Sequence, residues 1–288
     1  MKVTNKVKAF NFFRNIFKIR LLENILATQT QNRKPQNFFC KLVPNPYQYP
    51  SPSYRTVNRN GITLSVDISD YIGHYLYFGF YDQGMDKLFS LCKENFTIID
   101  VGANIGWTVL NLANIAKYGK VFGFEPDPFN FDRCQENLLQ NNKFNCEVFP
   151  LGLGAKTGSV SMEVRTPSNR GGNRIAVSHT ANNREVKIVC LDEFEPIHKL
   201  SAIDLIKMDV EGYELNVLQG AKTLLQKHKP ILFIELDDNN LRDQGASALA
   251  LVLFLFEVGY KKIEHAEDSS KINATTDFAH CHFDIIAR

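Results

Sequence analysis

The strongest chemical signal in the sequence is a glycine-containing turn between a predicted strand and a predicted helix. It reads Asp100-Val101-Gly102-Ala103-Asn104-Ile105-Gly106, and glycines at this spacing permit a tight turn and close approach of a ligand to the backbone. In the dinucleotide-binding pattern G-x-G-x-x-G the middle glycine makes room for a pyrophosphate, and Asn104 stands in that place here. The turn therefore favours a nucleoside ligand without phosphates over a nicotinamide dinucleotide.

A second signal is an acidic residue at the end of the next predicted strand. Phe124-Glu125-Pro126-Asp127 follows the turn at about the separation at which an acidic residue meets a ribose diol in such folds. Glu125 can accept both hydroxyl protons in charge-assisted hydrogen bonds. Taken alone, Glu125 could be an exposed strand-end carboxylate and the glycines an ordinary turn. Their order and spacing together point to a nucleoside site.

Alternating strands and helices after Phe96 must position these motifs, and this alternation is typical of an α/β fold with a mainly parallel sheet. The predicted strands are short apolar runs suited to burial on both faces: Thr97–Val101, Val121–Glu125, Cys146–Leu151, Leu205–Asp209 and Ile231–Glu235, with two further strands near Tyr260–Ile263 and His282–Ile286. Apolar residues at three- and four-residue spacing predict the helices: Asn111–Lys117, Asp132–Gln140, Glu214–Lys227 and Ala246–Val258.

Composition divides the chain into three predicted parts. Residues 1–53 hold a basic amphipathic helix and a linker rich in Pro, Asn and Gln, residues 54–95 form a lead-in subdomain, and residues 96–288 form the main domain. Within the main domain, Ser159–Val164 and Val186–Val189 read as strands around the polar, Gly-rich stretch 167–173, which predicts an inserted hairpin. This insertion is a candidate substrate lid, with a plain surface excursion as the equal alternative.

Three segments resemble the FkbM-type S-adenosylmethionine-dependent methyltransferases. They are the turn Ile99–Gly106, the segment Phe124–Pro128 and the longer segment Ile203–Glu214 with its continuation Val217–Ala221. The third is the most specific for the family, because the first two occur widely among class I methyltransferases. The resemblance covers about residues 96–288, and residues 1–53 lie outside it.

The resemblance implies a Rossmann-like class I methyltransferase fold, with a mainly parallel seven-stranded sheet, helices on both faces, and S-adenosylmethionine as cofactor. It implies O-methylation of a hydroxyl on a small molecule, sugar or glycan. By position in the motifs, Asp100, Gly102, Asn104 and Gly106 would line the methionine end and the turn. The remaining cofactor candidates are Glu125 at the ribose, Asp127 beside it, and Gly152 and Leu153 near the adenine.

Two carboxylates, Asp209 and Glu211, follow the predicted fourth strand and are the catalytic candidates. On a continuing strand, residues two apart face the same side. Such a pair could share a divalent cation, deprotonate a substrate hydroxyl, or cap the following helix, and capping is the first expectation for one of them. No metal ligand is assigned. Lys207 is expected to pair with a neighbouring carboxylate, and the His280-Cys281-His282 cluster is expected to pack near the last strand.

The bulk composition limits the classes of partner and location. The 33 basic and 31 acidic residues give a net charge of +2, too balanced for a dedicated nucleic-acid binder. The six scattered cysteines have no disulfide or zinc spacing, which with the lack of a signal-peptide pattern predicts a cytoplasmic protein. The helix predicted over the first 30 residues is expected to pack on its own domain, with an anionic membrane surface as the alternative.

Two alternatives to the methyltransferase remain open at this stage. One is a nicotinamide-dependent oxidoreductase of Rossmann fold, which the missing middle glycine disfavours. The other is a non-catalytic nucleoside-binding or interaction module, which could keep the same glycines and Glu125.

Overall fold

Short, apolar strands build the central sheet of the computed structural model, which describes residues 11–143, 145–166, 168–176 and 183–288. In the part of the chain so described, this sheet has seven strands in the order β12-β13-β11-β10-β3-β4-β5. Five neighbouring strands run parallel, and β13 lies antiparallel between β11 and β12. Their bounds are β3 Thr97–Val101, β4 Lys120–Phe124, β5 Cys146–Phe149, β10 Leu205–Met208, β11 Ile231–Asp237, β12 Ile263–His265 and β13 His282–Ala287.

Helices flank this sheet, which confirms the predicted Rossmann-like α/β class. They are Gln83–Leu91, Trp107–Ile115, Pro128–Gln140, Glu195–His198, Glu214–Gln219, Lys222–His228, Asp238–Asp243 and Ala248–Glu257. Apolar faces of the helices and strands meet in one extensive core around residues such as Ile99, Phe124 and Leu232, all less than 1% exposed. Burial of this kind is the main stabilising contribution to such a domain.

Several helix boundaries differ from the sequence expectation, and local contacts explain them. The helix predicted from Asp132 begins at Pro128, because Asp127 accepts a hydrogen bond from the Asn130 amide and caps it. The single helix predicted over Glu214–Lys227 is two helices that meet at Gly220. A Cβ on Gly220 would lie 2.0 Å from the Gly154 carbonyl oxygen, so the break goes with a close approach of two backbones.

A second sheet of four strands, in the order β6-β9-β7-β8, lies between the third and fourth strands of the main sheet along the chain. Its strands are β6 Gly152–Leu153, β7 Gly158–Glu163, β8 Arg174–Ile175 and β9 Asn183–Val189. The antiparallel pairing of β7 with β9 confirms the predicted hairpin, although Pro167 at its polar tip is outside the described residues. Its role as a lid stays a prediction.

The contacts divide the chain into two units, which differ from the predicted division at residues 53 and 95. One unit comprises the described residues up to Gln83 with Arg165–Gly171, and the other comprises Gly84–Val164 and Gly172–Arg288. No boundary falls near residue 53, because the Thr30 hydroxyl donates to the Phe78 carbonyl at 2.6 Å and ties the N-terminal segment to the stretch that follows.

The first unit contains more regular structure than the sequence indicated. The helix predicted over residues 1–30 is interrupted: its part before residue 11 lies outside the described residues, Ile19 is extended, and a helix covers Arg20–Thr30. The predicted linker contains a helix, Phe38–Leu42, whose cap Asn37 accepts from the Phe39 amide. Strands β1 Tyr54–Arg59 and β2 Ile62–Asp67 form a hairpin that precedes a helix, Tyr71–Phe78.

None of the helices in the described part of the chain is long and apolar enough to cross a membrane.

Candidate functional site

The glycine turn is held by the two strands whose carboxyl ends meet beside it. The amides of Gly102 and Ala103 both donate to the Phe124 carbonyl at 3.0 Å, which fastens the turn after β3 to the end of β4. Gly102 has φ +86°, and a Cβ there would lie 2.1 Å from the Asp209 carbonyl oxygen. A side chain at this position is excluded by both its conformation and its surroundings.

Asn104 brings the turn into contact with Glu125, so the two sequence signals lie side by side. Its backbone amide donates to Glu125 Oε2 at 2.8 Å, while its own side-chain oxygen accepts from the Ile105 amide. Its φ of +48° is one that asparagine tolerates better than most residues. Gly106, with φ +88°, then opens the helix Trp107–Ile115 against Cys134, whose Sγ would be 2.8 Å from an added Cβ.

Glu125 is a buried carboxylate held at the tip of this turn. It is 6% exposed, and its other oxygen accepts from the Asp127 amide at 2.9 Å. Burial raises the pKa of Glu125 to about 7, and the amides of Asp127 and Asn104 oppose that shift. A carboxylate has about four acceptor positions; the Asn130 side chain takes a third one, so Glu125 can accept one further hydrogen bond from a ligand.

The other predicted cofactor residues surround Glu125 in different ways. Asp127 is fully buried and caps the helix that begins at Pro128, with Arg184 Nη1 3.4 Å from its second oxygen. Gly152 and Leu153 form the buried strand β6. An added Cβ on Gly152 would be 3.5 Å from Pro126, which places the expected adenine neighbours next to the residue that follows Glu125.

Asp100 forms a buried ion pair with Lys207, as expected for that lysine. Lys207 Nζ lies 3.3 Å from Asp100 Oδ1 and 3.7 Å from Asp209 Oδ2, and it donates to the Gly102 carbonyl at 3.3 Å. Burial lowers the pKa of Lys207, but the charges of Asp100 and Asp209 outweigh it and hold that pKa above its ordinary value. The ammonium therefore stays charged and joins the turn to the end of β10.

Asp209 and Glu211 do not share one face of a strand, which corrects the geometry predicted for them. β10 ends at Met208, and Glu211 has φ +54°, so the chain has already turned. The Asp209 side chain is 45% exposed beside Lys207, whereas Glu211 accepts from the Asn240 side-chain amide at 2.9 Å. The structure brings the two carboxylates to the same edge of the sheet without pairing them.

Asp209 or Glu211 was expected to cap the following helix, but that helix has no side-chain cap at Tyr213, and the carboxylate that accepts from the turn before it is Glu214. Glu214 Oε1 accepts from the amides of Val210 and Gly212, each at 3.1 Å. Its Oε2 is buried with no hydrogen-bond partner. Burial raises the pKa of Glu214 to about 7, against the lowering effect of these backbone amides.

Two residues at this edge differ from the sequence interpretation: Glu235 was missed, and His282 was expected to pack. Burial, followed by the charges of Asp209 and Glu211, raises the pKa of Glu235 to about 10. His282 is largely exposed rather than packed, with Nδ1 2.8 Å from Asp237 Oδ2, whereas Cys281 is buried as expected. The strand pairing is the signal that could have located them: β13 runs antiparallel to β11, so its first residue, His282, lies opposite the last residue of β11.

The acidic residues of this edge do not form a group that could hold a metal ion, and no such group occurs among the described residues. The site offers instead a buried proton on Glu235, an exposed carboxylate on Asp209, and an imidazole on His282. General acid–base chemistry on a hydroxyl needs groups of this kind.

The buried carboxyl of Glu214 makes stability depend on pH in a definite direction. Its pKa is about 7 in the folded protein and near its ordinary value when unfolded, so the folded state binds more protons between about pH 4.5 and 7. The free energy of unfolding should therefore fall as pH rises through this window. Glu214→Gln keeps the accepting oxygen and removes the titration, so its stability relative to the unmodified protein should rise by about 2 to 3 kcal/mol between pH 5 and 8.

Urea unfolding at several pH values measures this difference. Glu147→Gln is the matched control, because Glu147 is exposed and should leave the pH profile unchanged. A constant offset between Glu214→Gln and the unmodified protein at every pH would contradict the assignment.

Comparison with known proteins identifies a family for this chain. Residues 100–262 match the methyltransferase FkbM domain. The hexuronic acid methyltransferase AglP of Haloferax volcanii is 32% identical over 136 residues, which cover 46% of this chain and 53% of that protein. The 2-O-methyltransferase NoeI of Sinorhizobium fredii is 27% identical over 181 residues, or 57% of this chain and 72% of that protein.

The alignment thus spans about half the length of AglP. Among solved structures, an FkbM methyltransferase from Methylobacillus flagellatus is similar to this chain with a TM-score of 0.46 and 21% identity, over 68% of this chain and 44% of that one. The matched domain covers more than half of the chain and contains the glycine turn, Glu125, Lys207 and Asp209. This chain belongs to the FkbM methyltransferase family.

Proposed function

We propose that this protein is an S-adenosylmethionine-dependent methyltransferase that methylates a hydroxyl group on a sugar, glycan or other small molecule. The observation that carries the proposal is the contact of the Gly102–Gly106 turn with Glu125 at the carboxyl ends of β3 and β4. Open α/β sheets bind their ligands at this edge.

The residues present fit a nucleoside cofactor. Glu125 is buried, at the tip of the turn, and keeps acceptor capacity beyond its backbone contacts, which suits a ribose hydroxyl. Gly152 and Leu153 supply apolar, backbone-lined surroundings for an adenine ring. Gly102, Asn104 and Gly106 would contact the methionine end of the cofactor. Asp100 is fully buried and pairs with Lys207, so it would affect that end only by holding Lys207 in place.

When bound, S-adenosylmethionine supplies an activated methyl group on a sulfonium sulfur. The protein then has to align the acceptor oxygen and remove its proton. Alignment of this kind can contribute effective molarities of roughly 10⁵ to 10⁸ M. We assign proton removal to Asp209, which is exposed, stands at the end of β10, and lies 3.7 Å from the Lys207 ammonium.

Glu211 and Asp127 have supporting roles in this proposal. Glu211 holds the turn after β10 to the helix Asp238–Asp243 through Asn240. Asp127 fixes the start of the helix after Glu125 and donates its own backbone amide to that carboxylate. Both keep a neighbouring functional side chain in place, and neither needs to touch the acceptor.

The names of the relatives bear on the acceptor. One is a hexuronic acid methyltransferase and another a 2-O-methyltransferase, so hydroxyl groups of sugars and sugar acids are the first acceptors to test. We also propose that the protein works in the cytoplasm, since its six cysteines are single thiols and four are buried, which fits a reducing compartment.

Isothermal titration with S-adenosylmethionine, S-adenosylhomocysteine and NAD tests the cofactor. Binding of the first two with no heat from NAD is expected, because Asn104 stands where a pyrophosphate would need glycine. Binding of NAD alone would instead favour an oxidoreductase. Binding of the first two without methyl transfer to any of a panel of uronic acid and neutral glycosides would favour a non-catalytic module.

A further inference from the structure

The N-terminal part of the first unit exposes large apolar side chains. Phe12 is 72% exposed and Leu21 is 70% exposed. We call the N-terminal surface the set formed by these two residues and their exposed apolar neighbours along the same segment: Phe13, Ile16, Ile19 and Ile25. Six large apolar side chains exposed within 14 residues form an unusual concentration, since single exposed ones are common and clusters mark interaction sites.

This segment is held in place, so its apolar side chains do not belong to a loose end. The helix Arg20–Thr30 buries Leu26, Ala27 and Thr30 on its inner face, which confirms the expectation that it packs on its own unit. Ahead of it, Arg14 Nε donates to the Lys41 carbonyl at 2.8 Å, and the Gln48 side chain donates to the Asn11 carbonyl at 3.0 Å. The exposed apolar side chains of the N-terminal surface therefore lie on an ordered segment of the chain.

The charge around this surface is strongly one-sided. Residues 1–60 contain eleven Lys and Arg and a single acidic residue, Glu23, whereas residues 61–288 contain 22 basic and 30 acidic residues. Glu23 is buried and already paired with Arg55 at 2.7 Å and Arg20 at 2.9 Å. A net charge of +10 on the first 60 residues thus accompanies the exposed apolar side chains, in a chain whose remainder is −8.

We propose that the N-terminal surface binds the face of an anionic lipid bilayer, with its apolar side chains in the headgroup–acyl boundary and two exposed lysines of the same unit, Lys34 and Lys41, against the lipid phosphates. Basic and apolar residues combined on an ordered helical segment are typical of proteins that lie on membranes. An anionic leaflet attracts Lys and Arg close to its surface. A nucleic acid would satisfy the charge but would leave Ile16, Ile19 and Leu21 in water.

Co-sedimentation of the full chain with vesicles tests this proposal. The vesicles are phosphatidylcholine alone, or phosphatidylcholine with about a third phosphatidylglycerol. Binding is expected only to the anionic vesicles, and it should weaken as salt screens the charges. Phe12→Ser/Leu21→Ser should reduce the partition coefficient at least about tenfold, and Lys34→Gln/Lys41→Gln should reduce it several-fold.

Two matched controls separate this surface from general stickiness. Tyr118→Ser/Leu139→Ser removes side chains of equal exposure in the second unit, and Lys227→Gln/Lys261→Gln removes two exposed charges there. Both should bind the anionic vesicles like the unmodified protein. Circular dichroism checks that each variant folds. The salt dependence of vesicle binding is measured on the unmodified protein, so it does not depend on the folding of any variant.

Failure of the unmodified protein to bind anionic vesicles would overturn the proposal, as would equal losses in the test and control variants. One alternative occupant is a second copy of the chain. In that case the mass in solution would double with concentration, Phe12→Ser/Leu21→Ser would abolish the doubling, and no vesicles would be bound.

Discussion

Replacement of Glu125 by alanine is expected to weaken the binding of S-adenosylmethionine about a hundredfold. One hydrogen bond from a ribose hydroxyl to a carboxylate contributes roughly 1.5 to 3 kcal/mol, and the upper part of this range corresponds to about a hundredfold. Glu125 occupies the position for such a bond, buried at the tip of the turn that follows β3. Calorimetric titration of the variant measures the loss.

Glu125 also accepts hydrogen bonds from the backbone amides of Asn104 and Asp127, and alanine leaves both amides without that partner. The variant could therefore weaken binding by disturbing the turn as well as by removing the ribose contact. A ligand without the ribose hydroxyls separates the two effects. A deoxyribose analogue of S-adenosylhomocysteine should bind the unmodified protein weakly, and Glu125→Ala should weaken it little further. If the variant instead weakens both ligands by the same factor, Glu125 only shapes the turn.

The pH dependence of binding provides an independent check on Glu125. A diol donates only to an ionised carboxylate with full strength, and burial raises the pKa of Glu125 to about 7. Affinity should therefore rise as pH increases from about 6 to 8 and then level off. Glu147→Ala, at an exposed position, should follow the unmodified profile, whereas Glu125→Gln should lose the dependence.

The parts of the site that lie on strand ends could be predicted from the sequence. Apolar runs located β3 and β4 to within a residue, and parallel strands place their carboxyl ends at one edge. The contact between Asn104 and Glu125 follows from that arrangement. The glycines were informative because their positive φ angles restrict the residue type at those positions.

The parts of the site that depend on turns could not be predicted in the same way. Asp209 and Glu211 are spaced like two residues on one face of a strand. β10 ends at Met208, however, and Glu211 has a left-handed backbone conformation, so the alternation of a strand does not continue to Glu211. Glu214 satisfies the turn amides because its side chain folds back onto Val210 and Gly212, and spacing alone did not distinguish it from its neighbours. Likewise the dyad of His282 and Asp237 depends on a strand pairing 45 residues apart.

Replacement of Asp209 by asparagine is expected to lower the turnover number by about 10² to 10⁴, the usual contribution of a general base, while the affinity for S-adenosylmethionine changes only a few-fold. Asparagine has the same shape and can still contact Lys207, but it cannot take a proton. Steady-state rates with a uronic acid glycoside that is methylated, together with titration of the cofactor, separate the turnover number from binding.

His282 provides the competing assignment, because Asp237 holds its imidazole at the same edge of the sheet. If His282→Gln removes turnover while Asp209→Asn retains it, the base is the His282 imidazole and not the Asp209 carboxylate. Asp132→Asn, at an exposed position on the helix that begins at Pro128, is the matched control. If Asp209→Asn weakens cofactor binding and turnover by the same factor, Asp209 serves only to hold Lys207 in place. Loss of a general base slows only the chemical step, whereas loss of a structural contact also disturbs the glycine turn to which Lys207 donates.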